Sequence, residues 1–384
     1  MNTFRIPSPA ALQIARDTIL RKPIKNIGIW QINPMEWKMI DRIAGVPEGT
    51  YQKAPVPTYR TMLENSGVCM LDQWIPNNPL SMQTGGYEAS QAGSSATTGL
   101  QEVVCDGIRI DSPEAVVEHL ERFIFPKLER GAGEFNAVAV TQELIAGEAG
   151  IQAELGPNML KAPYGWPFSP FPVFKYDQYG YENYFMAYSL YPEVMEKLFR
   201  LQADFAAIRN RTSARAIRAG NLPPYARLDS DMADGRSTLV DIASLDRIWF
   251  PHFARSIQPL VEAGINLLWH CDGNLSAMVP RLIACGVRGF QGFQYEHGMD
   301  YEKICAMKTR DGEDLLIIGG VSVTRTLPHG TPDDVKKEMQ WLVRNGPKRG
   351  LFLGASSSIA PGVPWGNLEA LIEGFWYYRE HGRD

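Results

Sequence analysis

The stretch Ile265–Asn274, "INLLWHCDGN", runs apolar and then turns abruptly polar. Leu267, Leu268 and Trp269 suit a strand buried on both faces, and Asp272-Gly273 suits the turn that ends it. Side chains alternate along a strand, so His270 and Asp272 face one way and Cys271 the other. If Leu268 points inward, His270 and Asp272 stand above it at the mouth of the sheet. Cys271 then packs toward the helices as a small apolar residue.

The same apolar run with a polar finish recurs along the chain. It appears in "NIGIWQI" (26–32), "GVCMLDQW" (67–74), "FNAVAVTQE" (135–143), "YARLDSDM" (225–232), "GVRGFQGF" (286–293), "LLIIGG" (315–320) and "GLFLGA" (350–355). With 265–271 these are eight candidate strands, separated by helical patterns, and they predict an α/β fold: a single (βα)8 TIM barrel over residues 1–384. Residues 1–25 read as an N-terminal lead segment, and the Pro- and aromatic-rich stretch 162–185 as a long loop insertion over one end. In such a barrel the chemistry gathers at the C-terminal ends of the strands. Those ends carry Gln31 and Asn33, Asp72 and Gln73, Gln142 and Glu143, Asp229 and Asp231, His270 and Asp272, Gln294, and Ser356 and Ser357. Any one of them could simply cap the next helix. Their convergence points to a site.

The helices have mechanisms of their own. In "GTPDDVKKEMQWLVRNG", Thr331 caps the free amides, Pro332 suits the first turn, and Val335, Met339, Leu342 and Val343 make one apolar stripe ending at Gly346. "DSPEAVVEHLERF" repeats the scheme with Ser112 as cap and Val116, Val117, Leu120 and Phe123 inward.

A net charge of −5 offers no basic surplus to offset phosphates, so a nucleic-acid partner is not expected. No run is long and apolar enough for a membrane span, and the N-terminus lacks the apolar core of a signal peptide. Five cysteines without C-x-x-C spacing read as reduced thiols of a cytoplasmic protein. Neither G-x-x-x-x-G-K-[ST] nor G-x-G-x-x-G follows a strand, so no nucleotide cofactor is expected. The His270–Asp272 pair keeps three readings: two ligands of a zinc ion, an acid–base or orienting pair, or a structural histidine beside a turn. Asp229 and Asp231 share a face, and close carboxylates raise each other's pKa.

Several ordered motifs resemble the uroporphyrinogen decarboxylase superfamily. They are "QYGYENYFMAYSLYPEVMEKLF", "FPHFARSIQPLVEAGINLLWHCDGN", "LIACGVRGFQGFQ", "LLIIGGVSVTRTLPHGTPDDV" and "LGASSSIAPGVPWGNLEAL", with "CDGIRIDSPEAVVEHL" in the N-terminal half. The resemblance implies a (βα)8 barrel and one of two activities, tetrapyrrole decarboxylation or corrinoid-dependent methyl transfer. The decarboxylases' arginine-rich signature is absent from "GIWQINPMEW", which removes the clamp a polycarboxylate needs. In the family's zinc methyltransferases the ligands are a His, a Cys two residues on, and a Cys before "IAP". Here His270 matches the first, while Asp272 and Ser357 hold the other two positions and Cys271 is out of register. An oxygen-rich zinc site of His270, Asp272 and Glu143 stays open beside a metal-free one.

The branch left is one that moves a methyl group from a small donor to a corrinoid held on a partner protein. A methoxylated aromatic is one donor class, and Trp166 and Tyr179 in the aromatic loop are candidates to line its pocket. His270, assisted by Asp272 or a metal, would help the leaving group depart, and Asp231 and Gln294 would orient the donor, with Asp229 and Gln142 beside them. The alternatives are a metal-independent decarboxylase of a small carboxylic acid, with Asp231 stabilising a protonated electron sink and His270 delivering the proton, and a non-catalytic barrel that binds a small ligand.

Overall fold

The computed structural model describes residues 10–78, 80–82 and 103–383. Ten short strands are present among them. We number them β1 (Gly28–Ile29), β2 (Met70–Leu71), β3 (Val104–Cys105), β4 (Ile108–Arg109), β5 (Leu160–Lys161), β6 (Tyr225–Asp229), β7 (Asn266–His270), β8 (Gly289–Gln291), β9 (Leu316–Val321) and β10 (Leu351–Ala355). A central parallel sheet of six strands runs β1-β10-β9-β8-β7-β6, and β2 and β5 form a parallel pair. Single parallel bridges, Trp30 to Met70 and Tyr164 to Arg227, link that pair to the two edges of the sheet. This mixed α/β arrangement is consistent with a TIM-like barrel, although the ladders do not close into one continuous sheet.

One expected strand is a helix. Residues 135–143 alternate like a strand, but Asn136 accepts a hydrogen bond from the Ala139 amide and starts the helix Ala137–Leu155. The helix-favouring run "ELIAGEAGIQAEL" behind that cap outweighs a short alternation. The strand in its place is β5, eighteen residues beyond Gln142. Lys161 of β5 turns toward the helix, where its Nζ lies 2.9 Å from both Glu148 oxygens in a buried pair.

The short antiparallel pair β3–β4 lies outside every expected stretch, whereas the other seven expected strands appear as β1, β2 and β6 to β10. Their small and large interior residues are complementary: a Cβ on Gly28 would meet the Phe352 ring at 2.5 Å. The lead segment contributes the helix Ala10–Ile19, and residues 1–9 lie outside the described residues. Just beyond that helix, buried Arg21 donates to Asn266 Oδ1 (2.6 Å) and to the carbonyls of Asp314 (2.7 Å) and Arg288 (3.1 Å). That cluster ties together the starts of β7, β8 and β9, at the end opposite His270.

Helix caps follow the sequence closely. Thr331 and Asp334 make a reciprocal capping box, and Ser112 accepts from the Ala115 amide. The helix Pro332–Asn345 also carries Glu338, whose Oε1 accepts a hydrogen bond from the Ser322 amide (2.7 Å). Burial raises the Glu338 pKa from 4.5 to about 7. The folded state therefore binds this proton more tightly than the unfolded one, and stability falls as pH rises from 4.5 through about 7. Glu338→Gln is expected to stabilise the protein at pH 8 and to lose its advantage below about pH 4.5, as urea midpoints across that range would show.

Candidate active site

Asp229, His270 and Gln291 are register partners on β6, β7 and β8, so their side chains leave the sheet on the same side and at the same level. A cavity of about 770 Å³ opens there. Its wall includes Asp229, Asp231, His270, Asp272, Gln291 and Ser357, with Trp30, Trp74 and Glu154 opposite.

Beneath the cavity lies a buried charge cluster. Arg227 donates to both Asp72 oxygens (2.8 and 3.2 Å) and to Asp229 Oδ2 (3.2 Å), while the Tyr225 hydroxyl donates to Asp72 (2.9 Å). Arg227 is 2% exposed and Asp72 1%, so each charge depends on the other. Burial alone would lower the Arg227 pKa, but Asp72 and Asp229 outweigh it and raise it. Burial would likewise raise that of Asp229. The charges of His270 and Arg227, with the Tyr164 hydroxyl 2.7 Å away, instead hold it below the usual carboxylate value.

Asp231 behaves oppositely. Its carboxylate is accessible, yet the crowded walls desolvate it, and Asp272 and Asp229 repel its charge. Together these outweigh the pull of His270 and raise its pKa. Asp231 Oδ1 accepts from the Asp272 amide (3.2 Å), and the Ser357 hydroxyl donates to Asp272 Oδ2 (3.2 Å). The Asp272 carboxylate is thus held by Ser357. The expected assistance to His270 is not made through a hydrogen bond.

The His270 ring is placed from behind. Gly292 has φ +84°, and a Cβ there would come within 2.7 Å of His270 Nδ1. That nitrogen is buried and has no hydrogen-bond partner among the described residues, while the residue itself lines the cavity. Cys271 is fully buried, and its Sγ accepts from the Met232 amide (3.4 Å). Burial pushes its thiol up to about 12.

Other expected site residues lie elsewhere. Gln142 and Glu143 sit exposed on the helix Ala137–Leu155, away from the cavity wall, because their segment is not a strand. Glu143 therefore cannot complete a zinc site with His270 and Asp272. Among the described residues no three His, Cys, Asp or Glu come close enough to hold a metal ion, so the donor set does not fit zinc. Gln294 is buried, and its Oε1 accepts from the Gly273 amide (2.7 Å). It fixes the turn behind Asp272 and does not line the cavity, because β8 ends three residues earlier, at Gln291. Trp166 is exposed beside Arg209, and Tyr179 is buried with its hydroxyl 2.8 Å from His119 Nδ1. The loop that holds them folds into short helices, and its Phe168, Phe171 and Phe174 go into the core.

Arg227, Tyr164, Gln291, Trp30 and Trp74 were not singled out from the sequence. Arg227 had a signal: it lies two residues before Asp229 and shares its face. Tyr164 had none, since it follows a two-residue strand that no pattern marks.

No family model matches the chain, and neither does any curated protein. The chain is similar in structure to a methyltransferase from Methanosarcina mazei, with a TM-score of 0.57 over 97% of this chain and 99% of that one, at 16% sequence identity. At that identity the likeness establishes the fold alone. No helix among the described residues is long and apolar enough to cross a membrane.

Proposed function

We propose that the protein is a methyltransferase on a (βα)8 barrel of the uroporphyrinogen decarboxylase type, moving a methyl group from a small donor to a corrinoid carried by a partner protein. The observation that carries this reading is the gathering of Asp229, Asp231, His270 and Asp272 around one cavity at the C-terminal ends of parallel strands. The motifs quoted above and the name of the structural neighbour support it. A reduced corrinoid supplies the nucleophile that receives the methyl group. His270, through Nε2, donates a hydrogen bond or proton to the departing heteroatom, and Asp231 orients the donor. Trp30 and Trp74 offer the aromatic wall for a methoxylated ring that Trp166 and Tyr179 do not.

The decarboxylase alternative fits less well. A small carboxylic acid needs a cation to hold it, and the three Arg227 nitrogens already donate to Asp72 and Asp229. The test is spectroscopic. Mixing the protein with a reduced corrinoid protein and a panel of methyl ethers should convert the cobalt absorption to that of the methylated form. An unchanged spectrum, with donors and corrinoid protein shown to bind, would sink the reading.

A further inference from the structure

We propose that the ligand selected by this cavity carries a positively charged nitrogen, held by Asp231 and Asp272 beside Trp74. The proposal deepens the methyl-transfer reading by giving the donor's charge, and it rests on that reading for the identity of the ligand as the donor.

Charge is the first observation. Asp229, Asp231, Asp272 and Glu154 line the cavity, against Arg227 and His270 as the only basic groups among the described residues of the wall. Arg227 is engaged by Asp72 and Asp229, so its charge is spent beneath the cavity. Asp231 is a carboxylate left open to the space, as is Glu154, and among the described residues no ion pair to a basic side chain holds Asp231 or Asp272. An anion entering here meets repulsion, whereas a cation relieves the crowding of Asp231 by Asp272 and Asp229.

Hydrogen bonding is the second and independent observation. Gln291 is 3% exposed and lines the cavity; its amide donates to the Ser356 carbonyl (3.1 Å), which leaves Oε1 without a partner. Asp272 Oδ1 is also buried and unpartnered. Both are acceptors, so the ligand that satisfies them brings hydrogen-bond donors, and the carboxylate favours donors that carry positive charge. Trp30 already carries the Arg227 guanidinium over its ring (5.3 Å), so Trp74, which also lines the cavity, is the indole that favours a cation over a neutral or anionic group. A metal ion would meet the charge but not the geometry, since among the described residues no three ligating groups converge. A protonated amine meets both.

The test compares three probes of one shape by calorimetry at pH 7: N-methylbenzylammonium, the neutral isostere benzyl methyl ether, and the anion phenylacetate. The ammonium is expected to bind at least about tenfold more tightly than the ether, and phenylacetate more weakly than either. Asp231→Asn keeps the side chain's shape and should shrink the preference for the ammonium to below about threefold. Asp272→Asn is the second variant, and thermal melts of both check that the fold is kept. Equal binding of ether and ammonium, no ammonium binding up to about 10 mM, or a preference that survives both substitutions would overturn the proposal. The two readings fail separately. Selective ammonium binding with no change in any cobalt spectrum would sink methyl transfer and leave the cation site. Methyl transfer from the ether without a preference for the ammonium would do the reverse.

Discussion

His270→Ala is expected to lower the rate of methyl transfer by roughly 10²–10³ while leaving the fold intact. The size follows from what the residue contributes. A single preorganised hydrogen bond to a leaving group in a partly desolvated site is worth about 3–4 kcal/mol in the barrier. His270 sits at the end of β7, level with Asp229 and Gln291, and Gly292 backs its ring. Its position is therefore set before any ligand arrives. Single-turnover transfer, followed by cobalt absorption at saturating donor, isolates the chemical step from binding. The effect should fall on kcat with little change in KM. A loss below about fivefold would remove His270 from the mechanism.

Arg227→Met is expected to destabilise the protein by about 3–5 kcal/mol, read as a shift of the urea unfolding transition. Methionine keeps an unbranched apolar stem in place of the arginine's but leaves the buried Asp72 carboxylate, among the described residues, with the Tyr225 hydroxyl as its remaining hydrogen-bond donor. Breaking a buried pair from one side strands the other charge, and that uncompensated charge is the larger part of the cost. Arg227→Met with Asp72→Leu removes both charges and should recover much of the loss. A single variant that loses less than about 1 kcal/mol would show that the cluster is better hydrated than its burial indicates. Asp229 would also lose its Arg227 contact, so the variant links the stability of the barrel interior to the electrostatics of the cavity above it.

Legibility in the sequence followed burial. Strands β7, β9 and β10 are mostly apolar runs of five or six residues, and their burial leaves a continuous signature; the alternation within "INLLWHCDGN" puts His270 and Asp272 on one side and Cys271 on the other, and the structure places the first two at the cavity and buries the third. The failures have local causes. At residues 135–143 a β-like alternation of a few residues was overridden by a helix cap and nineteen residues of helix. β5 spans two residues, too few to impose a period, so Tyr164 beyond it was invisible. Gln294 was chosen over Gln291 because a run of glycines and phenylalanines does not mark where pairing stops. The aromatics of 162–185 are as consistent with a core as with a pocket, and packing between helices decides it for Phe168, Phe171, Phe174 and Tyr179.

Cys271 stands next to His270 in the chain, and its burial has a chemical consequence under the proposed methyl transfer. A thiolate at that position would be the strongest nucleophile in the neighbourhood and would take the methyl group itself, ending in a dead thioether. The strand's alternation turns the sulfur away, and a thiol held near 12 keeps it protonated. Under that proposal, the same register that presents the imidazole to the cavity would protect the protein from alkylating itself.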